Sequence, residues 1–158
     1  MKASIRMKVA LGCDHAGFVL KDAIAAYLAR KGHEVLDEGT DSDASCDWPD
    51  FGERVAGRVA SGEAERGIAI CGTGIGMSMT ANKLPGVRAA LCNDLYTARY
   101  SRLHNDANVL ALGARIVGPG LAEEIVRTWM DTPFEGGRHS RRLDKLTEIE
   151  RRHGGARA

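Results

Sequence analysis

Two hydrophobic rhythms alternate along the chain. Short apolar runs recur at Met7 to Gly12, His33 to Leu36, Gly67 to Cys71, Val87 to Cys92 and Asn108 to Gly113. Runs this short and this continuously apolar suit strands buried on both faces. Between them the apolar positions open to helical spacing. Phe18, Leu20, Ile24, Tyr27 and Leu28 share one face of a helix closed by Gly32. Gly39 to Asp47 is polar and reads as a loop, and Pro49 suits the first turn of a helix reaching about Ser61, with Phe51, Val55, Ala56 and Val59 on one side. Further helices are expected from Met77 to Lys83, broken by Pro85-Gly86, from Leu95 to Leu103, and from Gly118-Pro119-Gly120 to about Met130. The tail from Arg138 to Arg152 carries Leu143, Leu146 and Ile149 as an apolar stripe.

Five strand-helix units in series predict an α/β fold: a three-layer α/β/α sandwich around a five-stranded parallel sheet, Rossmann-like, with an added C-terminal helix. The 158 residues suit a single domain spanning 1–158. A second Met-Lys pair, Met7-Lys8, opens the first strand, so Met1 to Arg6 reads as an N-terminal extension.

Composition narrows the function classes. Basic and acidic side chains number 22 and 21, a net charge of +1, which leaves no electrostatic footprint for nucleic acid or an anionic membrane. No apolar stretch approaches the roughly 18 residues of a membrane span, and the start lacks a signal-like apolar core, so the expected location is the cytoplasm. Cys13, Cys46, Cys71 and Cys92 form no Cys-x-x-Cys pair, which argues against a zinc ribbon or a thioredoxin-like motif. Each cysteine is read alone, as a small buried hydrophobe unless its neighbours say otherwise. Cys13, Cys46 and Cys92 are assigned no chemistry.

In parallel sheets, ligands sit beyond the carboxyl ends of the strands. Three segments fall there: Cys13-Asp14-His15, Cys71 to Gly76, and Asn93-Asp94. Cys71-Gly72-Thr73-Gly74-Ile75-Gly76 is the strongest signal. Alternate glycines let the backbone approach a ligand, and the helix that follows points amide donors at it, which makes an anion cradle. The loop lacks the third glycine of a dinucleotide fingerprint and the Lys-Ser/Thr of a Walker loop. A cysteine-phosphatase loop would carry Arg where this chain has Met77. Cys71, at a helix start, suits a thiolate base; a buried strand cysteine is the plainer reading. Asp14-His15 suits sugar hydroxyls or phosphate, with Asp14 also fit to cap the first helix. His104 sits in the polar run His104-Asn105-Asp106-Ala107-Asn108 and is the residue type for proton transfer near neutral pH. Arg138 and Arg142, four apart on one helix face, fit a phosphate clamp or a solvated basic face.

Taken together, Gly12-Cys13-Asp14-His15-Ala16-Gly17-Phe18, Cys71 to Gly76, Ala81-Asn82-Lys83, His104-Asn105-Asp106 and Gly136-Gly137-Arg138-His139 resemble the ribose-5-phosphate isomerase type B family, which includes galactose-6-phosphate and allose-6-phosphate isomerases. The resemblance runs from about Met7 to Arg152. It implies aldose–ketose isomerisation through a cis-enediolate without metal or organic cofactor. Cys71 would move a proton between C1 and C2, with Gly72, Thr73, Gly74, Ile75 and Gly76 holding the enediolate oxygens and Thr73 assisting. His104 would be the acid that opens the furanose ring. Asp14, His15 and Asn105 would bind sugar or phosphate oxygens, and Arg115, Arg138 and Arg142 would bind phosphate or border the site. The resemblance also implies a homodimer, or a dimer of dimers, with sites between subunits. A branch of the family uses Glu on the glycine loop where this chain has Met77, which puts this chain in the cysteine branch.

One position departs from the family. Asp47-Trp48-Pro49 stands where many members have Asp-Tyr-Pro, replacing a phenol with an indole N–H that donates but does not accept. Ribose 5-phosphate is the expected substrate; another aldose phosphate (allose 6-phosphate, galactose 6-phosphate or a tetrose phosphate) is the alternative within the class. A non-catalytic sugar-phosphate-binding module and a thiol-dependent phosphatase are the alternatives outside it.

Overall fold

The computed structural model describes residues 5–154. Five strands, β1 (Lys8–Cys13), β2 (Glu34–Asp37), β3 (Arg66–Cys71), β4 (Ala89–Leu91) and β5 (Val109–Gly113), alternate with α1 (Phe18–Arg30), α2 (Trp48–Ala60), α3 (Ile75–Ala81), α4 (Leu95–Leu103) and α5 (Pro119–Asp131). A last helix, α6 (Arg138–His153), follows. All strand pairings are parallel, in the order β2-β1-β3-β5-β4. The three-layer α/β expectation holds. Of the expected N-terminal extension, Met1 to Ser4 lies outside the described residues; Ile5 and Arg6 precede β1 without regular structure.

Burial explains the strand order. β3 and β5 are almost wholly buried, and β1 is buried after its first residue, so these three take the centre. β2 and β4 keep partly exposed residues and lie at the edges. β4 is also shorter than the run Val87 to Cys92 suggests: only Ala89 to Leu91 pairs, against Val109 to Ala111. Leu20, Ile24 and Leu28 of α1 pack on one face of the sheet with Ala98 of α4 and Ile125 and Trp129 of α5. Val55 and Ala56 of α2 pack on the other with Met77 and Ala81 of α3. Asp94 caps α4, its Oδ1 accepting from the Thr97 amide at 2.7 Å, and Pro49 and Pro119 sit in the first turns of α2 and α5.

Helix α6 stands apart. His139 is its only buried residue, and Leu146 and Ile149 of the expected stripe are about half exposed. Among the described residues no helix is long and apolar enough to cross a membrane.

Candidate active site

β3 ends at Cys71, and the chain turns at once into α3. Gly74 makes that turn with φ +83, and a Cβ there would collide with Leu91 and with the backbone of Leu112, so the position takes only glycine. The turn brings the Gly74 amide onto the Cys71 sulfur at 3.1 Å. Cys71 as a residue is buried, with 6% exposure. The Ile75 amide donates to Thr73 Oγ1 at 3.2 Å. Two amides of the cradle therefore hold the loop's own sulfur and hydroxyl, in addition to the expected role of Gly72 to Gly76 in holding the enediolate oxygens.

Asn93 clamps this loop to the sheet, a role the sequence did not signal beyond its place after β4. Its Nδ2 donates to the Thr73 carbonyl at 3.1 Å and its Oδ1 accepts from the Gly113 amide at 2.8 Å. Beyond β5, the Ala114 and Arg115 amides donate to the carbonyls of Cys71 and Gly72 at 2.8 and 3.0 Å. Arg115 lies with its side chain along Gly72, its guanidinium exposed beside the cradle.

Asp14 and His15 follow the end of β1, next to β3, the Asp14 amide donating to the Ile70 carbonyl at 3.1 Å. Asp14 is buried, and its Oδ1 accepts from the amides of Ala16 and Gly17 at 3.0 Å each. It thus caps the turn before α1, while Gly17 is the N-cap residue itself. The Cys46 amide donates to His15 Nδ1 at 3.2 Å, tying the loop before α2 to the site. Trp48 lies with its indole against Gly76, where a side chain larger than hydrogen would collide with it. Burial pushes the Cys13 thiol up to about 11, which keeps it a neutral core thiol, and burial likewise raises Cys92. All four cysteines are unpaired.

The other expected residues lie elsewhere. In a parallel sheet each helix returns the chain to the amino ends of the strands. His104 follows α4 and precedes β5, so it sits at the amino end, opposite Cys71. Asn105 is beside it, its carbonyl accepting from Arg88 Nε at 3.1 Å just before β4. The Glu135 amide donates to the Leu103 carbonyl at 3.0 Å, which brings the start of α6 to the same place. The His104 and His139 rings stack there at 4.2 Å. Burial, with His104 and Arg138 nearby, holds the His139 imidazolium below its usual range. Arg138 and Arg142 are both exposed. A groove of about 810 Å³ between α6 and the segment Asn82 to Ala90 touches the expected set only at Asn105.

The candidate residues thus form two half-sites. Asp14, His15, Cys71 to Gly76 and Arg115 share the carboxyl end of the sheet; His104, Asn105, Arg138 and Arg142 share the amino end. Apolar side chains stand open near the first group: Ile75, Met79, Leu91, Leu95, Tyr96 and Ile116 are each more than a third exposed.

Residues 9–146 match the family model described as Ribose/Galactose Isomerase. The chain is 51% identical over 145 residues to ribose-5-phosphate isomerase B of Escherichia coli, covering 92% of this chain and 97% of that protein. It is 43% identical over 145 residues to D-erythrulose-4-phosphate isomerase of Pectobacterium atrosepticum, covering 91% and 95%. Among solved structures, ribose-5-phosphate isomerase B of Clostridium thermocellum superposes with a TM-score of 0.91 at 55% identity, over 93% of this chain and 99% of that one.

Proposed function

The chain belongs to the ribose/galactose isomerase family and is an isomerase, and from that premise we propose that it interconverts ribose 5-phosphate and ribulose 5-phosphate through a cis-enediolate, with Cys71 as base and without a metal or organic cofactor. The observation that carries the reading is the Cys71 sulfur at the end of β3, gripped by the Gly74 amide within a glycine cradle. Enolisation builds negative charge on two adjacent oxygens, and preorganised donors are the strongest means of stabilising it.

In this reading the Cys71 thiolate removes the C2 proton of the open-chain aldose and returns it to C1 of the enediolate, while the hydroxyl proton on O2 passes to O1. The glycine loop and Thr73 face the developing oxyanions. Asp14 has one oxygen committed to amides and offers the other to a sugar hydroxyl. His104 donates the proton that opens the furanose ring, Asn105 binds a substrate oxygen, and His15, Arg115, Arg138 and Arg142 receive the phosphate or border it.

One chain holds these groups at opposite ends of its sheet, so the working unit is at least a homodimer in which the amino-end group of one subunit faces the carboxyl-end group of its partner. The open apolar side chains at the first half-site and on α6 support such an assembly. The test is incubation with ribose 5-phosphate, following ketose absorbance and free phosphate together. Ketose without phosphate release supports the isomerase; free phosphate points to a phosphatase, and neither product to a binding module.

Trp48 favours a second reading within the class. The Trp48 indole lies against Gly76 and shapes the wall of the cradle, and one relative is named as a D-erythrulose-4-phosphate isomerase. A panel of four-, five- and six-carbon aldose phosphates decides: a kcat/KM for ribose 5-phosphate below that of another member would move the substrate and leave the chemistry in place.

A further inference from the structure

Beside the expected ring-opening acid lie two side chains to which the isomerisation assigns no work. Glu135 is in the connection from α5 to α6 and His139 is in the first turn of α6, while His104 closes α4. One ligand atom from each of the three lies within 4.8 Å of the other two. His104 Nε2 is 3.8 Å from Glu135 Oε2, and His139 Nε2 is 3.9 Å from the same oxygen. Both distances are too long for hydrogen bonds, so the carboxylate lies near two imidazole nitrogens without bonding to either.

His139 adds an independent observation. The residue is 3% exposed, and its Nε2 is buried without a hydrogen-bond partner. Buried polar atoms are nearly always satisfied, and an orphan 3.9 Å from a carboxylate, on a ring stacked against a second imidazole, calls for an occupant. Two imidazoles and one carboxylate are the donor set of zinc sites that keep a fourth position open. Bonds of 2.0–2.2 Å place tetrahedral ligands about 3.3–3.6 Å apart, so the group must close by about 1 Å, and the His104 ring must turn out of its stack on His139 for both nitrogens to face one ion. His104 and Glu135 have the room, with side chains 35% and 51% exposed, while His139 is the fixed point at 4%.

We propose that His104, Glu135 and His139 bind a borderline divalent transition-metal ion, Zn2+ foremost, and that the bound ion inhibits the isomerase by occupying the nitrogen with which His104 would donate its proton. The inhibition rests on the role given to His104 under the proposed function; the binding does not. The ion plays no part in the isomerisation itself.

The test uses the full chain stripped with a chelator and titrated with Zn2+ by calorimetry, in parallel with Glu135→Ala and His139→Gln. One ion per chain is expected for the wild type, with binding weakened about tenfold or more in each variant. Zn2+ should raise the melting temperature of the wild type by clearly more than that of Glu135→Ala, and melting without metal confirms that both variants fold. Co2+ in place of Zn2+ should give a visible spectrum without sulfur-to-metal charge transfer. Equal Zn2+ binding in all three proteins, or a charge-transfer band that puts the ion on a cysteine, overturns the site. In turnover assays Zn2+ should inhibit the wild type, reversibly on adding chelator, while Glu135→Ala keeps its activity and loses the inhibition. Site-dependent binding without any inhibition would overturn the inhibitory role and count against His104 as the acid, leaving the metal site in place.

Discussion

Cys71 is held as well as buried: the Gly74 amide fixes its sulfur, and the Asn93 clamp fixes the loop that carries that amide. Replacing it with serine keeps the shape and removes the basicity, because a hydroxyl is far too weak an acid to supply an anion near neutral pH. Cys71→Ser is therefore expected to lower kcat by about a thousandfold or more with KM little changed, measured by steady-state kinetics. Near-full turnover would hand the base to another residue. Arg138→Ala and Arg142→Ala should each cost about 2 kcal/mol in kcat/KM by removing a charged partner of the phosphate, with folding intact because both side chains are exposed. Unchanged efficiency in both would make them a solvated face. The sequence announced Cys71, Asp14 and the glycine loop because their types and spacings are local. Asn93 and the pairing of His104 with His139 depend on contacts across the fold, which spacing does not encode.

His33 sets a pH dependence of stability at the same scale. Burial lowers its affinity for protons, Arg66 lowers it further and Asp131 opposes, while its Nδ1 accepts from the Met7 amide at 3.3 Å. The folded chain therefore prefers neutral His33, and the unfolded chain takes up the proton near its ordinary value of 6.5. Stability falls as pH drops below that value, and His139, lowered in the same direction, adds to the fall. His33→Gln should flatten the acid side of a plot of melting temperature against pH. An unaltered acid slope would remove His33 from the account.

At the scale of elements, α3 begins two residues earlier than the apolar spacing suggests, at Ile75, because left-handed Gly74 ends the loop so abruptly. Gly74→Ala is expected to destabilise the chain by about 1–3 kcal/mol through backbone strain, beyond any clash, and to disable turnover by moving the amide off the Cys71 sulfur. Thermal unfolding and kinetics together check it; wild-type values in both would show that the turn tolerates a side chain. The strands were legible as apolar runs and their order was not. Sequence places β4 before β5, yet β5 inserts between β3 and β4, because Val109 to Gly113 is apolar enough to be buried on both faces while Ala89 to Leu91 suits an edge.

For the whole molecule, the parallel topology decides what one chain can do. The α/β layering and single sheet were readable from the alternation of strands and helices. That Cys71 and His104 fall at opposite ends follows only once each helix is seen to carry the chain back across the sheet. The same arrangement leaves Leu146 and Ile149 on α6, and Leu91, Leu95 and Tyr96 around β4 and α4, without cover. Sedimentation at micromolar concentration should accordingly show a dimer or a larger even assembly, and a fully active monomer would contradict the account.

The most direct measurement is subunit complementation between two inactive variants, Cys71→Ser and His104→Ala, co-expressed with different tags so that the hybrid can be isolated. If each site joins Cys71 of one chain to His104 of its partner, the hybrid carries one doubly defective site and one that is wild type throughout. The purified hybrid should then recover about half of the wild-type dimer's kcat, with a wild-type KM, and a randomly paired mixture about a quarter. If each chain uses its own Cys71 and His104, every site in the hybrid keeps one defect. A hybrid as inactive as its parents would contradict the shared site.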